Sequence, residues 1–151
     1  MPDRITYSWS RLERDVRILA RQVGPGKYEA ILAITRGGLI PAYFLARLLD
    51  IKVIHTLCLS SYEDQQRGQI AYHSIEGISV HIDPVVVGSR KILFVDDIVD
   101  SGQTMAEIRR QYPEARFAAL VSRGRIDPEY FVAHEGAWVD FPWERATEEA
   151  I

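Results

Sequence analysis

Thirteen residues, Ile92-Leu93-Phe94-Val95-Asp96-Asp97-Ile98-Val99-Asp100-Ser101-Gly102-Gln103-Thr104, constrain this chain more than any other stretch. Ile92 to Val95, apolar and partly β-branched, read as a buried parallel strand that the two acids stop. A short polar turn then leads into the helical pattern Met105, Ile108, Tyr112. Ser101, Gly102, Gln103 and Thr104 stand where that helix begins, so their free N–H groups and the positive end of the helix dipole face an anion such as phosphate. Gly102, without a Cβ, lets the backbone come close to it. Asp96 and Asp97 repel phosphate, but carboxylates accept hydrogen bonds from sugar hydroxyls and hold Mg²⁺ directly or through water. One ligand with ribose hydroxyls, a terminal phosphate and a metal satisfies every part. The plainer alternative is a strand-to-helix turn of some other doubly wound protein, with a capping serine and a solvated acid pair.

A chain of 151 residues, 47% of them hydrophobic, suits one compact domain with its own core. The net charge of -3 advertises no broad basic surface, which argues against nucleic acid as a partner. A single cysteine, Cys58, rules out a disulfide within the chain and reads as a small buried hydrophobe. No apolar run approaches membrane-spanning length, and Met1-Pro2-Asp3-Arg4 opens no secretory signal, so a soluble cytoplasmic protein without a membrane partner is expected.

In chain order, Ser10 and Glu13 fit a capping box that opens a helix. Its apolar face is Leu12, Val16, Leu19, Ala20 and Val23, and Gly24-Pro25-Gly26 ends it. That helix is assigned packing and no chemistry, with Tyr7 and Trp9 ahead of it as a hydrophobic clamp. Ala30 to Ile34 is a short buried strand running into Thr35-Arg36-Gly37-Gly38, after which Leu39-Ile40-Pro41 starts a helix with Leu45, Leu48 and Leu49 on its apolar face. Two glycines at a strand-to-helix turn allow a nest of N–H groups suited to an anion, and Arg36 adds a fixed cation, although a plain tight turn reads equally well. Lying one unit away from the Ser101 cradle, this turn falls where ligands of open α/β sheets bind, at the carboxyl ends of the strands.

Lys52 to Leu59 is the next strand. The polar run from Ser60 to Gly68 is a loop, compatible with a lid or with ordinary solvated surface. Ile78, Val80, Ile82 and Val85-Val86-Val87 alternate as antiparallel flap strands would, and His73 and His81 receive no role. Phe117 to Val121 forms another buried strand that delivers Ser122-Arg123-Gly124; Arg123 is placed to meet a purine carbonyl oxygen or a surface acid. Near the C-terminus, Trp138 offers a flat face on which a base stacks, while Trp143 reads as core.

Two acids after an apolar strand, then Ile98-Val99-Asp100-Ser101-Gly102 and Thr104, resemble the phosphoribosyl pyrophosphate (PRPP) signature of the type I phosphoribosyltransferases. Arg123 followed by Trp138-Val139-Asp140 and Pro142-Trp143-Glu144 resembles the base-binding hood of the xanthine-guanine enzymes, with arginine where lysine is usual. The likeness runs from the N-terminal helix to Glu144 and thins between Gln69 and Lys91.

This resemblance implies one phosphoribosyltransferase domain over residues 1–151: a central, mainly parallel twisted sheet flanked by helices. A flexible lid or flap would span about 60–90 and a small C-terminal hood about 122–145. It implies a Mg²⁺-dependent purine phosphoribosyltransferase that moves ribose 5-phosphate from PRPP to guanine, xanthine or hypoxanthine, giving GMP, XMP or IMP and pyrophosphate. By the same resemblance Arg36 and Gly37 take the pyrophosphate, and Asp96 and Asp97 the ribose hydroxyls and metal, with Asp97 the metal residue. The run Ile98, Val99, Asp100, Ser101, Gly102, Gln103 and Thr104 holds the 5′-phosphate end. Asp100 is the general base, Arg67 belongs to a catalytic lid that opens with Ser60-Ser61-Tyr62, and Arg123, Trp138 and Val139 hold the purine. A homodimer or homotetramer is expected, as is inhibition by guanosine alarmones able to fill both anion cradles. The competing readings are a PRPP-sensing regulator that binds nucleic acid, for which the basic face is lacking, and a salvage enzyme for another base.

Overall fold

The structure, a computed structural model, describes residues 3–61, 70–72 and 91–145. In chain order its elements are β1 (Arg4–Thr6), α1 (Trp9–Val23), β2 (Ala30–Thr35), α2 (Leu39–Leu48), β3 (Val53–Ser61), β4 (Ile70–Tyr72), β5 (Ile92–Val99), α3 (Gln103–Gln111), β6 (Arg116–Ser122), β7 (Tyr130–His134), β8 (Trp138–Asp140) and α4 (Pro142–Arg145). The main sheet has the order β4-β3-β2-β5-β6-β7 and is parallel apart from β4, the mainly parallel sheet the sequence led us to expect.

The strands read as near-continuous apolar runs because helices cover both faces. On one face Ile31, Ala33, Leu93, Val95 and Leu120 pack against Leu12, Val16 and Leu19 of α1 and Leu45 of α2. On the other, Leu32, Ile34, Phe94 and Phe117 pack against Met105 and Ile108 of α3. Burying each of these larger side chains contributes about 1.5–3 kcal/mol, so the sheet centre is rigid where the site is built on it. Apart from this sheet, β1 and β8 form a two-stranded parallel pair with Arg4 opposite Trp138, Ile5 opposite Val139 and Thr6 opposite Asp140. Among the described residues no helix is long and apolar enough to cross a membrane.

Several local expectations are corrected. Ser8, not Ser10, caps α1: its hydroxyl accepts the Arg11 N–H at 3.0 Å, while Ser10 already lies inside the helix. The buried face of α1 includes Asp15 beside Leu12, Val16, Leu19 and Val23. Leu48 of α2 is exposed, as are Tyr43 and Phe44, because the buried face of the helix is Pro41, Ala42, Leu45 and Ala46, with Leu49 just beyond its end. Cys58 is exposed, since β3 lies toward the sheet edge and most of its described side chains stay open to solvent. The acids do not stop β5. It runs on through Asp96 and Asp97 to Val99, pairing Asp96 with Ala119 and Ile98 with Val121 of β6. The strand β7 joins the sheet with only half-buried side chains, so its apolar signal is weak. Arg67, Tyr62, His73, His81 and the alternating run from Ile78 to Val87 lie outside the described residues.

Candidate functional site

Because β2 and β5 are adjacent and parallel, the turns that follow them open on the same edge of the sheet. After β2 comes Arg36-Gly37-Gly38, where the Thr35–Arg36 peptide is cis. The Gly38 N–H is taken by Ile34 O at 2.8 Å, whereas those of Arg36 and Gly37 have no acceptor among the described residues. Arg36 is exposed and has no ion-pair partner among those residues. After β5 comes the second turn, where Gly102 at φ +83° caps α3 and the Ser101 hydroxyl receives the Gln103 N–H at 3.3 Å, standing where an anion oxygen would. A cavity of about 120 Å³ is lined there by Asp96, Ile98, Val99, Asp100 and Ser101 through Met105.

The first turn meets the strand that leads into the second: a Cβ placed on Gly37 would lie 2.3 Å from Asp97 Oδ2, so this turn rests directly on Asp97 of β5. Asp97 is only 7% exposed, and its Oδ1 accepts the Ile98 N–H at 2.8 Å; the Asp97 N–H goes to Asp96 Oδ1 at the same distance. Burial, then the neighbouring Asp97 charge, pushes the Asp96 carboxyl well above the usual range. Burial raises Asp97 as well, offset by donation from Asp96 and from the Ile98 N–H. Both carboxyls are thus raised by burial, Asp96 the more strongly. Burial also raises Glu144 in α4, and the charges of Asp97 and Asp140 add to the effect. This acid-rich edge favours the arrival of a cation. No group of three or more metal-ligating side chains occurs among the described residues, so a Mg²⁺ here would take further oxygens from its ligand.

The remaining predicted residues surround this edge. Asp100 is 71% exposed, with Oδ1 3.3 Å from Arg123 Nε. Arg123 does not project freely: its Nη1 donates to the carbonyls of Gly136 at 3.1 Å and Ala137 at 2.6 Å, tying the general-base candidate to the hood. Trp138 presents half its surface to solvent, and its indole N–H donates to Asp140 Oδ1 at 3.1 Å. Val139 turns its side chain into the core, leaving its backbone at the hood edge, and Trp143 stacks on Phe141 with centroids 4.7 Å apart.

Sequence reasoning missed two supports. Asp140 orients Trp138, which the i, i+2 spacing on a strand face already signals. Ser122 donates to Asp127 at 2.5 Å and His134 Nε2 meets the same carboxylate at 2.9 Å, fixing the turn whose Ile126 lies against Gly102. No spacing rule announces that contact.

With this geometry in view, comparison with known proteins is informative. Residues 7–143 match the family model described as a phosphoribosyl transferase domain. The chain is 38% identical over 143 residues to the xanthine-guanine phosphoribosyltransferase of Chromohalobacter salexigens, covering 92% of this chain and 83% of that one. Among solved structures it is similar to a purine phosphoribosyltransferase from Pyrococcus horikoshii, at 25% identity and TM-score 0.72 over 93% of each chain. It is also similar to a Neisseria gonorrhoeae protein solved with bound ppGpp, at 26% identity and TM-score 0.73 over 95% of this chain and 90% of that one.

Proposed function

Because the chain belongs to the phosphoribosyl transferase family, we propose that it transfers ribose 5-phosphate from PRPP to a ring nitrogen of a 6-oxopurine, releasing pyrophosphate. The observation that carries this reading is the placing of two anion-accepting turns at one edge of neighbouring parallel strands, with Asp97 against the first turn and Asp96 lining the cavity at the second. A sugar with a phosphate at one end, a diphosphate at the other and hydroxyls between them matches that layout.

The 5′-phosphate lies on the N–H groups of Ser101 to Thr104, displacing the Ser101 hydroxyl from Gln103. Arg36 and the free N–H groups of its turn receive the diphosphate, and Asp96 accepts from the ribose hydroxyls. The hard carboxyl oxygens of Asp96 and Asp97 fit a Mg²⁺, which they would hold together with oxygens of the ligand; when bound it would neutralise charge on the departing diphosphate. The purine stacks on Trp138, the Val139 backbone faces its edge, and Arg123 stands beside its oxo group. As the bond from C1 to the diphosphate oxygen breaks, its electron pair leaves with the diphosphate. The purine nitrogen bonds to C1, and its proton passes to Asp100. Holding base and sugar in line supplies much of the remaining acceleration.

The test is pyrophosphate release from PRPP and Mg²⁺ with guanine, xanthine, hypoxanthine, adenine and uracil in turn. Release with one or more of the first three is expected, and silence with all five rejects the function. A guanosine alarmone carries phosphates on both sides of its sugar and a base for Trp138, so it competes with PRPP; the ppGpp bound to the Neisseria gonorrhoeae protein supports this expectation. Kinetics unchanged by ppGpp would end it. Exposed Tyr43, Phe44 and Leu48 on α2, beside Trp9, support assembly into a homodimer or homotetramer, to be read by sedimentation.

A further inference from the structure

Asp15 is fully buried on the face of α1 that otherwise carries Leu12, Val16, Leu19 and Val23. A carboxylate in that position is strongly unfavourable unless every lone pair is met. Here they are met: Tyr7 Oη donates to Oδ2 at 2.7 Å, Arg11 Nε to the same oxygen at 3.3 Å, and Arg14 Nε to Oδ1 at 2.9 Å. A leucine would fill the site more simply, so the question is what these bonds hold in place.

They hold the hood. Its strand β8 has β1 as its sheet partner and does not join the main sheet, so the place of Trp138 is inherited from β1. β1 runs directly into Tyr7, whose every part is engaged. The hydroxyl is on Asp15, the N–H donates to Asp140 O at 2.9 Å, and the carbonyl accepts from Arg145 at 2.9 Å. The ring lies 5.0 Å from Phe141 and 6.3 Å from Trp143. A second arm leaves the same carboxylate through Arg11, which lies over the Tyr7 ring and donates to Glu135 at 2.8 Å. Glu135 immediately precedes Gly136 and Ala137, the two carbonyls that grip Arg123. Burial and the adjacent carboxylate raise the Tyr7 hydroxyl, keeping it a donor at all ordinary pH.

We propose that Asp15, acting through Tyr7 and Arg11, is a positioning residue for the purine: it fixes the hood strand, and hence Trp138 and Arg123, relative to the sheet that carries the PRPP cradles. The proposal rests on the reading of Trp138 as the base platform, but it adds a specific demand. None of the bonds made by Asp15, Tyr7 or Arg11 reaches the Arg36 or Ser101 turns, and the hood meets Asp100 only through Arg123, so loosening the network disturbs the purine half of the site and leaves the two PRPP turns in place.

The experiment compares wild type with Asp15→Asn, Tyr7→Phe and the double variant, measuring KM for guanine, KM for PRPP and kcat. Wild-type turnover is established first, so a chain inactive with every base rejects the function itself, whereas a split that fails in an active enzyme rejects only this inference. Each single variant is expected to raise the guanine KM by about fivefold or more while the PRPP KM stays within about twofold, any fall in kcat being carried by the Arg123–Asp100 contact. The double variant is expected to match the worse single one, because both cut the same link. Ile92→Val, a core truncation at the opposite end of β5, should lower the melting temperature without moving the guanine KM. Should Asp15→Asn fail to fold, Tyr7→Phe, which deletes one hydroxyl, decides alone. Unchanged guanine KM in the folded variants, equal changes in both KM values, or a guanine shift in Ile92→Val would each overturn the proposal.

Discussion

Replacing Gly37 by alanine probes the joint between the two cradles. The added Cβ would sit 2.3 Å from Asp97 Oδ2, 2.5 Å from Cγ and 2.7 Å from Oδ1. Comfortable carbon contacts begin near about 3.5 Å, so something must move by roughly 1 Å. Asp97 has little freedom to do so, being buried and bonded to the Ile98 N–H. Overpacking of this kind costs about 1–3 kcal/mol, which for a chain of this size lowers the melting temperature by about 2–4 °C per kcal/mol. If the turn lifts instead, Arg36 leaves its place, and a misplacement of about 1 Å costs on the order of a hundredfold in turnover. Thermal melts followed by circular dichroism, together with KM for PRPP, read both routes. Adding Asp97→Ala should restore part of the lost melting temperature in the double variant, because it removes the obstructing carboxyl. Gly38→Ala admits no such rescue, since its Cβ would meet the backbone oxygens of Val95 at 2.3 Å and Ile34 at 2.6 Å. The reasoning is refuted if Gly37→Ala melts with wild type and keeps its PRPP KM, or if truncating Asp97 recovers nothing.

Three further outcomes are expected. Asp96 is raised by burial and by Asp97, so the folded protein binds this proton more tightly than the unfolded chain. Its contribution is therefore full at acid pH and is lost as pH climbs through the folded-state value. Asp96→Asn, which keeps an acceptor for the Asp97 N–H, should melt above wild type at pH 7, converge with it toward about pH 4, and bind PRPP poorly; melts in parallel across pH would expose the argument as wrong. Asp100→Asn should lower kcat by about 10²–10⁴ with PRPP affinity nearly intact, and equal turnover would remove Asp100 from its role. Trp138→Ala should weaken purine binding by about 1–3 kcal/mol, the value of one stacking face, and an unmoved guanine KM would place the base elsewhere.

Much of this was readable before any coordinates. A buried apolar run, two acids and a glycine turn at a helix start are local signals, since strand period, dihedral freedom and helix-end chemistry act over a few residues. They located Asp96 to Thr104 and Arg36-Gly37 without knowledge of the fold. Where reasoning from neighbours failed, a distant partner had decided the matter. Pairing with Ala119 and Val121 carried β5 through its acids, and openness near the sheet edge left Cys58 exposed.

The roles of Asp15 and Arg123 belong wholly to the tertiary structure. Asp15 looks like one more polar position on an amphipathic helix until Tyr7, Arg11 and Arg14 close around it. Arg123 looks like a free cation until the carbonyls of Gly136 and Ala137 claim it. The short-range chemistry of the chain determined where its acids, glycines and strand-to-helix turns fall. Only the packing of β1 against β8, and of the Arg36 turn on Asp97, set where those groups stand relative to one another, because the cost of burying a charge depends on partners that the order of residues does not reveal.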